Sequence, residues 1–155
     1  MAMRTAFKTL LFTVLVPGTV TIYLPCLIVP VHRAFAETSL VQDLGLIPIL
    51  LGAAIYAWCA WDFTVTGRGT PAPIDPPKEL VARGLYRYSR NPMYVGVLTI
   101  LLGEALWLAS WRLLAYAGLI ALCFTLFVRL YEEPALRRQF GASYERYCQT
   151  VPRWI

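Results

Sequence analysis

Two short clusters hold most of the residues able to do chemistry. The first is Arg90-Asn91-Pro92-Met93-Tyr94-Val95-Gly96, a basic, hydrogen-bonding turn that leads into an apolar run. The second follows the last apolar run: Glu132-Glu133-Pro134, then Phe140-Gly141, Tyr144, Tyr147 and Pro152-Arg153. Pro92 suits the first turn of a helix, where a missing backbone donor costs nothing, and Asn91 is the expected N-cap. Neither accounts for Arg90, because a cation at a helix N-terminus is disfavoured. An arginine beside exposed amides suits an anionic group, a carboxylate or a phosphate. Tyr94 and Gly96 would then face inward or lie against a ligand. Gly96 and Gly103 also permit close helix packing, the more ordinary use of glycine in a membrane.

Glu132 and Glu133 pose the converse problem. A helix C-terminus is partly negative, so acids there are disfavoured by about 0.3–1 kcal/mol each and need cations nearby. Arg129 is placed to reach Glu133 one turn away, and Arg87 or Arg90 to meet Glu132. The pair is therefore either an interfacial ion network or a site for a cationic or hydroxyl-rich ligand. Glu104 lies within an apolar run, where an acid costs several kcal/mol unless paired or wetted; Arg112 is the nearest cation in sequence. Asp62 ends another apolar run. The single histidine, His32, falls at the opposite end of the first run from the basic N-terminus. No Ser-His-Asp or Cys-His arrangement survives that placement, and no glycine-rich phosphate loop or dinucleotide fingerprint is present.

The elements that must position these residues are membrane spans. In 155 residues, 58% are hydrophobic and 15% charged, unusual for a soluble domain. Residues 9–31, 44–61 and 113–128 contain no charge, and 93–111 contains only Glu104 and no other. Each run, about 16–23 residues, can cross most or all of a hydrocarbon core ~30 Å thick. The alternative, a soluble bundle, is disfavoured because its helices need a polar face and these runs have almost none. The fold class expected is all-α and integral to the membrane, with about four transmembrane helices, the last two a tight hairpin, and short cytoplasmic C-terminal helices. The first run exceeds the usual signal-peptide core and is expected to be retained, with Pro17, Pro25 and Pro30 kinking or ending it.

Four spans place twelve of the fourteen lysines and arginines on one side, leaving Arg33 and Arg112 on the other. Both termini and the 67–92 loop are then expected in the cytoplasm. The net charge of +5 reads as topology signal and attraction to anionic lipid, not as nucleic-acid binding. Cys26, Cys59 and Cys123 lie in apolar runs and Cys148 in the tail, without metal-site spacing, so neither disulfide nor metal is expected. One domain is expected: spans in 1–66, a cytoplasmic loop over 67–92 whose Pro/Gly-rich part makes an ordered flap, a helical hairpin over 93–131, and a tail over 132–155. The stretch 78–88 reads as a short interfacial helix or turns. Only Ser110-Trp111-Arg112 separates the last two runs, which forces an antiparallel hairpin.

Taken together, Gly84-Leu85-Tyr86-Arg87-Tyr88-Ser89-Arg90-Asn91-Pro92-Met93-Tyr94-Val95-Gly96 and the Glu132–Arg153 cluster resemble the C-terminal signature of the isoprenylcysteine carboxyl methyltransferase and phospholipid N-methyltransferase superfamily. The resemblance covers about half the chain, from Lys78 onward, and leaves the two N-terminal spans without a signature. It implies S-adenosylmethionine as cofactor, bound at the cytoplasmic end of the hairpin. The residues it marks are Tyr86, Arg87, Arg90, Asn91, Pro92, Tyr94, Gly96, Glu132, Glu133, Tyr144, Tyr147 and Arg153. Arg90, Glu132, Glu133 and Glu104 are the catalytic candidates. Glu132 or Glu133 would take the ribose diol or a cationic group, Arg90 or Arg153 the carboxylate, and the tyrosines the adenine or sulfonium. Family members often carry His where this chain has Asn91, which cannot titrate. An amine acceptor must lose a proton, for which Glu104 or Asp62 is available; a carboxylate acceptor needs no base. The acceptor implied is a lipophilic molecule of the prenylcysteine or phospholipid-amine type, entering from the bilayer. Sterol-type, nicotinamide-dependent membrane reductases share a similar turn and tail but are longer, and a non-catalytic lipid-binding protein is the third reading.

Overall fold

The computed structural model describes residues 2–29, 39–63 and 80–154, and among these every regular element is helical. The order is α1 (Ala2–Leu15), α2 (Leu24–Ile28), α3 (Leu40–Asp43), α4 (Leu46–Asp62), α5 (Pro92–Trp107), α6 (Trp111–Phe127), α7 (Glu133–Phe140) and α8 (Ala142–Thr150). Three continuous helical stretches are long and apolar enough to cross a membrane: Thr9–Ile28, Leu40–Asp62 and Trp111–Phe140. The fourth apolar helix, α5, has 16 residues, about 24 Å, and ends four residues short of the expected run. The 67–77 flap, Lys78, His32 and Arg33 lie outside the described residues.

The first span shows how proline is accommodated without breaking a helix. A π-helical turn, Thr19–Tyr23, sits between α1 and α2. Its last bond runs from the Leu24 amide to the Thr19 carbonyl. The next donor in that register would be residue 25, but Pro25 has no N–H, so the Val20 carbonyl is left free. The Tyr116 hydroxyl of α6 donates to that carbonyl at 2.9 Å. A neighbouring helix thus satisfies the group that proline frees. Thr13, Thr19 and Thr21 donate back to the carbonyls of Thr9, Leu15 and Pro17. Pro17 and Pro25 therefore re-register the span, and it ends at Val29, extended as the residue before Pro30 must be.

Helices α4 and α5 form the closest pair, antiparallel, with glycine facing glycine twice. A Cβ on Gly52 would lie 2.5 Å from the Gly96 carbonyl, and one on Gly45 would lie 2.6 Å from the Gly103 carbonyl. Each helix repeats its glycine after seven residues, which keeps both contacts on one face. Van der Waals packing at this distance replaces the hydrophobic drive that lipid cannot supply. Val97, Leu101, Tyr56 and Ala117 fill the core beside it. The hairpin to α6 turns through Leu108–Ser110, with Ala109 at φ 44° and the Ser110 hydroxyl accepting from the Leu113 amide at 3.4 Å. The turn is tight as expected but lies slightly earlier in the chain.

The helix of α6 does not end at residue 131, where the hairpin was expected to give way to the tail, but runs on to Phe140. Pro134 does not interrupt the helix. A second π-helical turn, Val128–Glu132, carries α6 directly into α7, and Pro134 follows two residues later, as Pro25 follows the first π-turn. The wider turn admits the proline ring, which would otherwise meet the carbonyl four residues back. The break comes only at Gly141, whose φ of 51° and ψ of −127° lie outside the range of other residues. There α8 folds back toward the start of α5.

Candidate functional site

The C-terminal tail is zipped to the turn before α5. The Arg90 amide donates to the Pro152 carbonyl at 2.9 Å. The Asn91 Nδ2 donates to the Arg153 carbonyl at 3.0 Å, and the Ser89 hydroxyl donates to the same carbonyl at 3.3 Å. Pro92 occupies the first helical turn as expected. Asn91 does not cap α5: its side chain makes no cap bond, because the tail claims it. Its own amide donates to the Ser89 hydroxyl at 3.1 Å.

Glu133 closes this zip from the other side. It is 3% exposed and meets three arginines. Arg153 donates to it twice, at 2.7 and 3.0 Å. Arg90 Nη1 lies 3.1 Å away, and Arg137 Nη1 3.8 Å. The predicted partner Arg129 is not among them, and Arg90 pairs with Glu133 rather than with Glu132. Arg90 Nη1 also donates to the Cys148 sulfur at 2.8 Å, while its Nε is buried without a hydrogen-bond partner among the described residues. Tyr144, 2% exposed, lies beneath this network, with the Arg137 guanidinium 6.0 Å from its ring centre. Glu133, Arg153 and Tyr144 thus tie the tail to the hairpin.

Glu132 points elsewhere, since successive residues on a helix diverge by about 100°. It accepts from the Tyr94 hydroxyl at 2.9 Å and, among the described residues, has no cationic partner. Glu132 and Tyr94 line a cavity of about 120 Å³, with Arg90, Asn91, Tyr86 and Tyr147 around them. Tyr147 donates to the Tyr86 carbonyl at 2.6 Å, and Tyr86 packs edge-on to Phe63 with ring centres 5.5 Å apart. Burial pushes the Tyr86 and Tyr147 phenols above their ordinary range, so both stay neutral donors. The remaining wall is apolar: Phe12, Val16 and Pro17 come from the first span, Val97 from α5, Phe124 from α6, Leu80 and Val81 from the segment before α5, and Leu136 and Phe140 from α7. The cavity joins a polar end to a hydrocarbon-lined interior.

Seven of the expected site residues do not line it. Gly96 is spent on the contact with Gly52, Arg87 is exposed, and Pro92 only starts the helix. Glu133, Arg153 and Tyr144 form the ion cluster behind the cavity. Glu104 lies ten residues beyond Tyr94 on α5, about 15 Å along the axis, with Oε2 buried and unpartnered among the described residues. Its expected partner Arg112 makes no ion pair with it among those residues. Asp62 is also outside the lining and pairs with Arg83 at 3.2 Å. The sequence reading missed the apolar half of the cavity. Phe12, Val16, Phe63 and Phe124 carry no signal that separates them from other span residues.

The sequence matches the phospholipid methyltransferase family over residues 40–143. That stretch holds α4, the Arg90–Gly96 turn, the hairpin and the Glu132-Glu133 pair. An uncharacterized protein of Haemophilus influenzae is 40% identical over 65 residues, 41% of this chain and the whole of that protein. No solved structure matches. With two-thirds of its length inside the match and three helices long and apolar enough to cross a membrane, the chain belongs to the phospholipid methyltransferase family of integral membrane methyltransferases.

Proposed function

We propose that the protein transfers a methyl group from S-adenosylmethionine to a lipophilic acceptor at the cytoplasmic face of the membrane. The observation that carries this is the Glu132–Tyr94 pair: a carboxylate without a cation among the described residues, at the polar end of a cavity walled by hydrocarbon. When bound, the cofactor supplies an electrophilic methyl group on a sulfonium. The donors and acceptors here suit it. Glu132 is free to take its ammonium or ribose diol. The orphaned Arg90 Nε is free to take its carboxylate. Tyr86, Tyr94 and Tyr147 offer ring faces to a cation, each worth about 0.5–2 kcal/mol. Asn91 cannot move a proton, so its part is to hold the tail in place. Positioning in a dry site would supply most of the acceleration. The charge distribution supports cytoplasmic termini and a cytoplasmic site. The acceptor class that the family favours is a phospholipid amine, with a prenylcysteine carboxylate as the other branch.

Titration calorimetry of the purified protein with S-adenosylmethionine and with NADPH tests this. Binding of the first alone is expected. Glu132→Gln should weaken it roughly 10–100-fold, the worth of one charge-assisted hydrogen bond, with little change in melting temperature. Binding of NADPH alone would move the protein to the reductase reading, and binding of neither would make it a non-catalytic lipid binder.

A further inference from the structure

A second hollow, about 660 Å³, lies at bilayer depth between the first span and the α4–α5 pair. That is within the size range of small-molecule sites. One wall is the proline-spaced stretch of the first span, including Gly18, Ile22 and the π-turn. The other is Ala53 of α4 with Val97 and Ile100 of α5. Pro17, Tyr56 and Val97 line both this groove and the cavity at Glu132, so the two spaces adjoin across those residues. There the Tyr56 and Thr13 hydroxyls lie 2.9 Å apart. Beyond it the threonine hydroxyls bond back to carbonyls of their own helix. They therefore leave no unsatisfied polar atom that would call for water. The width depends on two small residues. Ala53 is exposed to the groove, and a Cβ on Gly18 would meet nothing nearer than the Thr13 carbonyl at 3.4 Å.

We propose that this groove holds one acyl chain of a phospholipid methyl acceptor while its head lies in the Glu132 cavity, and that Gly18 and Ala53 set which chains fit. The acyl chain follows from the setting: a hydrophobic trough between helices apolar enough to cross a membrane, adjoining a polar-ended cavity. The identification of that lipid as methyl acceptor rests on the methyltransferase reading.

The test uses the full chain in phosphatidylcholine nanodiscs. A phosphatidylethanolamine carrying a diazirine midway along one acyl chain is photolysed, and labelled peptides are mapped by mass spectrometry. Labelling should concentrate on the first span and the Ala53 region and be competed by unlabelled phosphatidylethanolamine. Ala53→Leu should lower it roughly tenfold by overfilling the groove, while labelling at the outward residues Leu119 and Leu122 stays constant. Three results would each overturn the proposal: wild-type labelling no denser in the groove than at Leu119 and Leu122, no effect of Ala53→Leu, or enrichment only with a prenyl-chain probe. The readout requires no methyl transfer, so a failure to bind S-adenosylmethionine would sink the functional reading and leave the groove result standing.

Discussion

Removing the charge of Glu133 while keeping its shape should release the tail from the hairpin. In Glu133→Gln the amide can accept from one guanidinium but turns an N–H₂ toward the other. Arg153 loses one or both bonds, at 2.7 and 3.0 Å, and Arg90 loses its ion pair at 3.1 Å. Arg137, at 3.8 Å and 45% exposed, adds little because solvent screens it. Hydrogen bonds to charged groups are worth about 1.5–3 kcal/mol each, and breaking a buried pair by removing one partner costs about 3–5 kcal/mol. Arg153 is about a quarter exposed and can turn to water, so the expected loss is about 3 kcal/mol, toward the lower end. Hydrogen exchange reads this directly. The Arg90 amide, bonded to the Pro152 carbonyl, should exchange roughly 100-fold faster, while amides in the middle of α5 keep their protection. If Arg90 exchange rises less than about fivefold, corresponding to under 1 kcal/mol, Glu133 is not what holds the tail.

Two further outcomes follow from the packing. Gly52→Ala pushes a methyl onto the Gly96 carbonyl and should cost about 1–3 kcal/mol, whereas Gly118→Ala, with nothing within 4 Å, should be neutral or stabilising by up to about 1 kcal/mol; thermal melts in detergent compare the pair. Tyr116→Phe should cost about 1 kcal/mol by orphaning the Val20 carbonyl, and a double-mutant cycle with Pro25→Ala, which restores a backbone donor there, should show that cost falling.

The sequence by itself determined the solvent and the secondary structure. Charge-free runs long enough to cross a bilayer leave no alternative to helices, because every backbone group must be bonded within its own segment. It also determined which polar residues would converge. Arg90, Asn91, Glu132, Glu133, Tyr147 and Arg153 do meet at one end of the hairpin, since the short 108–110 connection brings the two helix ends together. Only the tertiary structure decided how those residues divide. Glu132 and Glu133 are neighbours of one type, and nothing in their identity says which faces the cavity and which the tail arginines. A π-turn of one extra residue per turn sets that phase, and its presence depends on how Pro134 is accommodated. Likewise Asn91 reads as a cap until the tail, some 60 residues later, takes its side chain. Gly96 reads equally as a ligand contact or a packing glycine until Gly52 arrives against it. Glu104 is indistinguishable by residue type from a catalytic acid; its distance along α5 separates it from the cavity. For Asn91 and Gly96 the deciding partner is remote in sequence, and a single chain read by local pattern holds no record of which remote residue arrives.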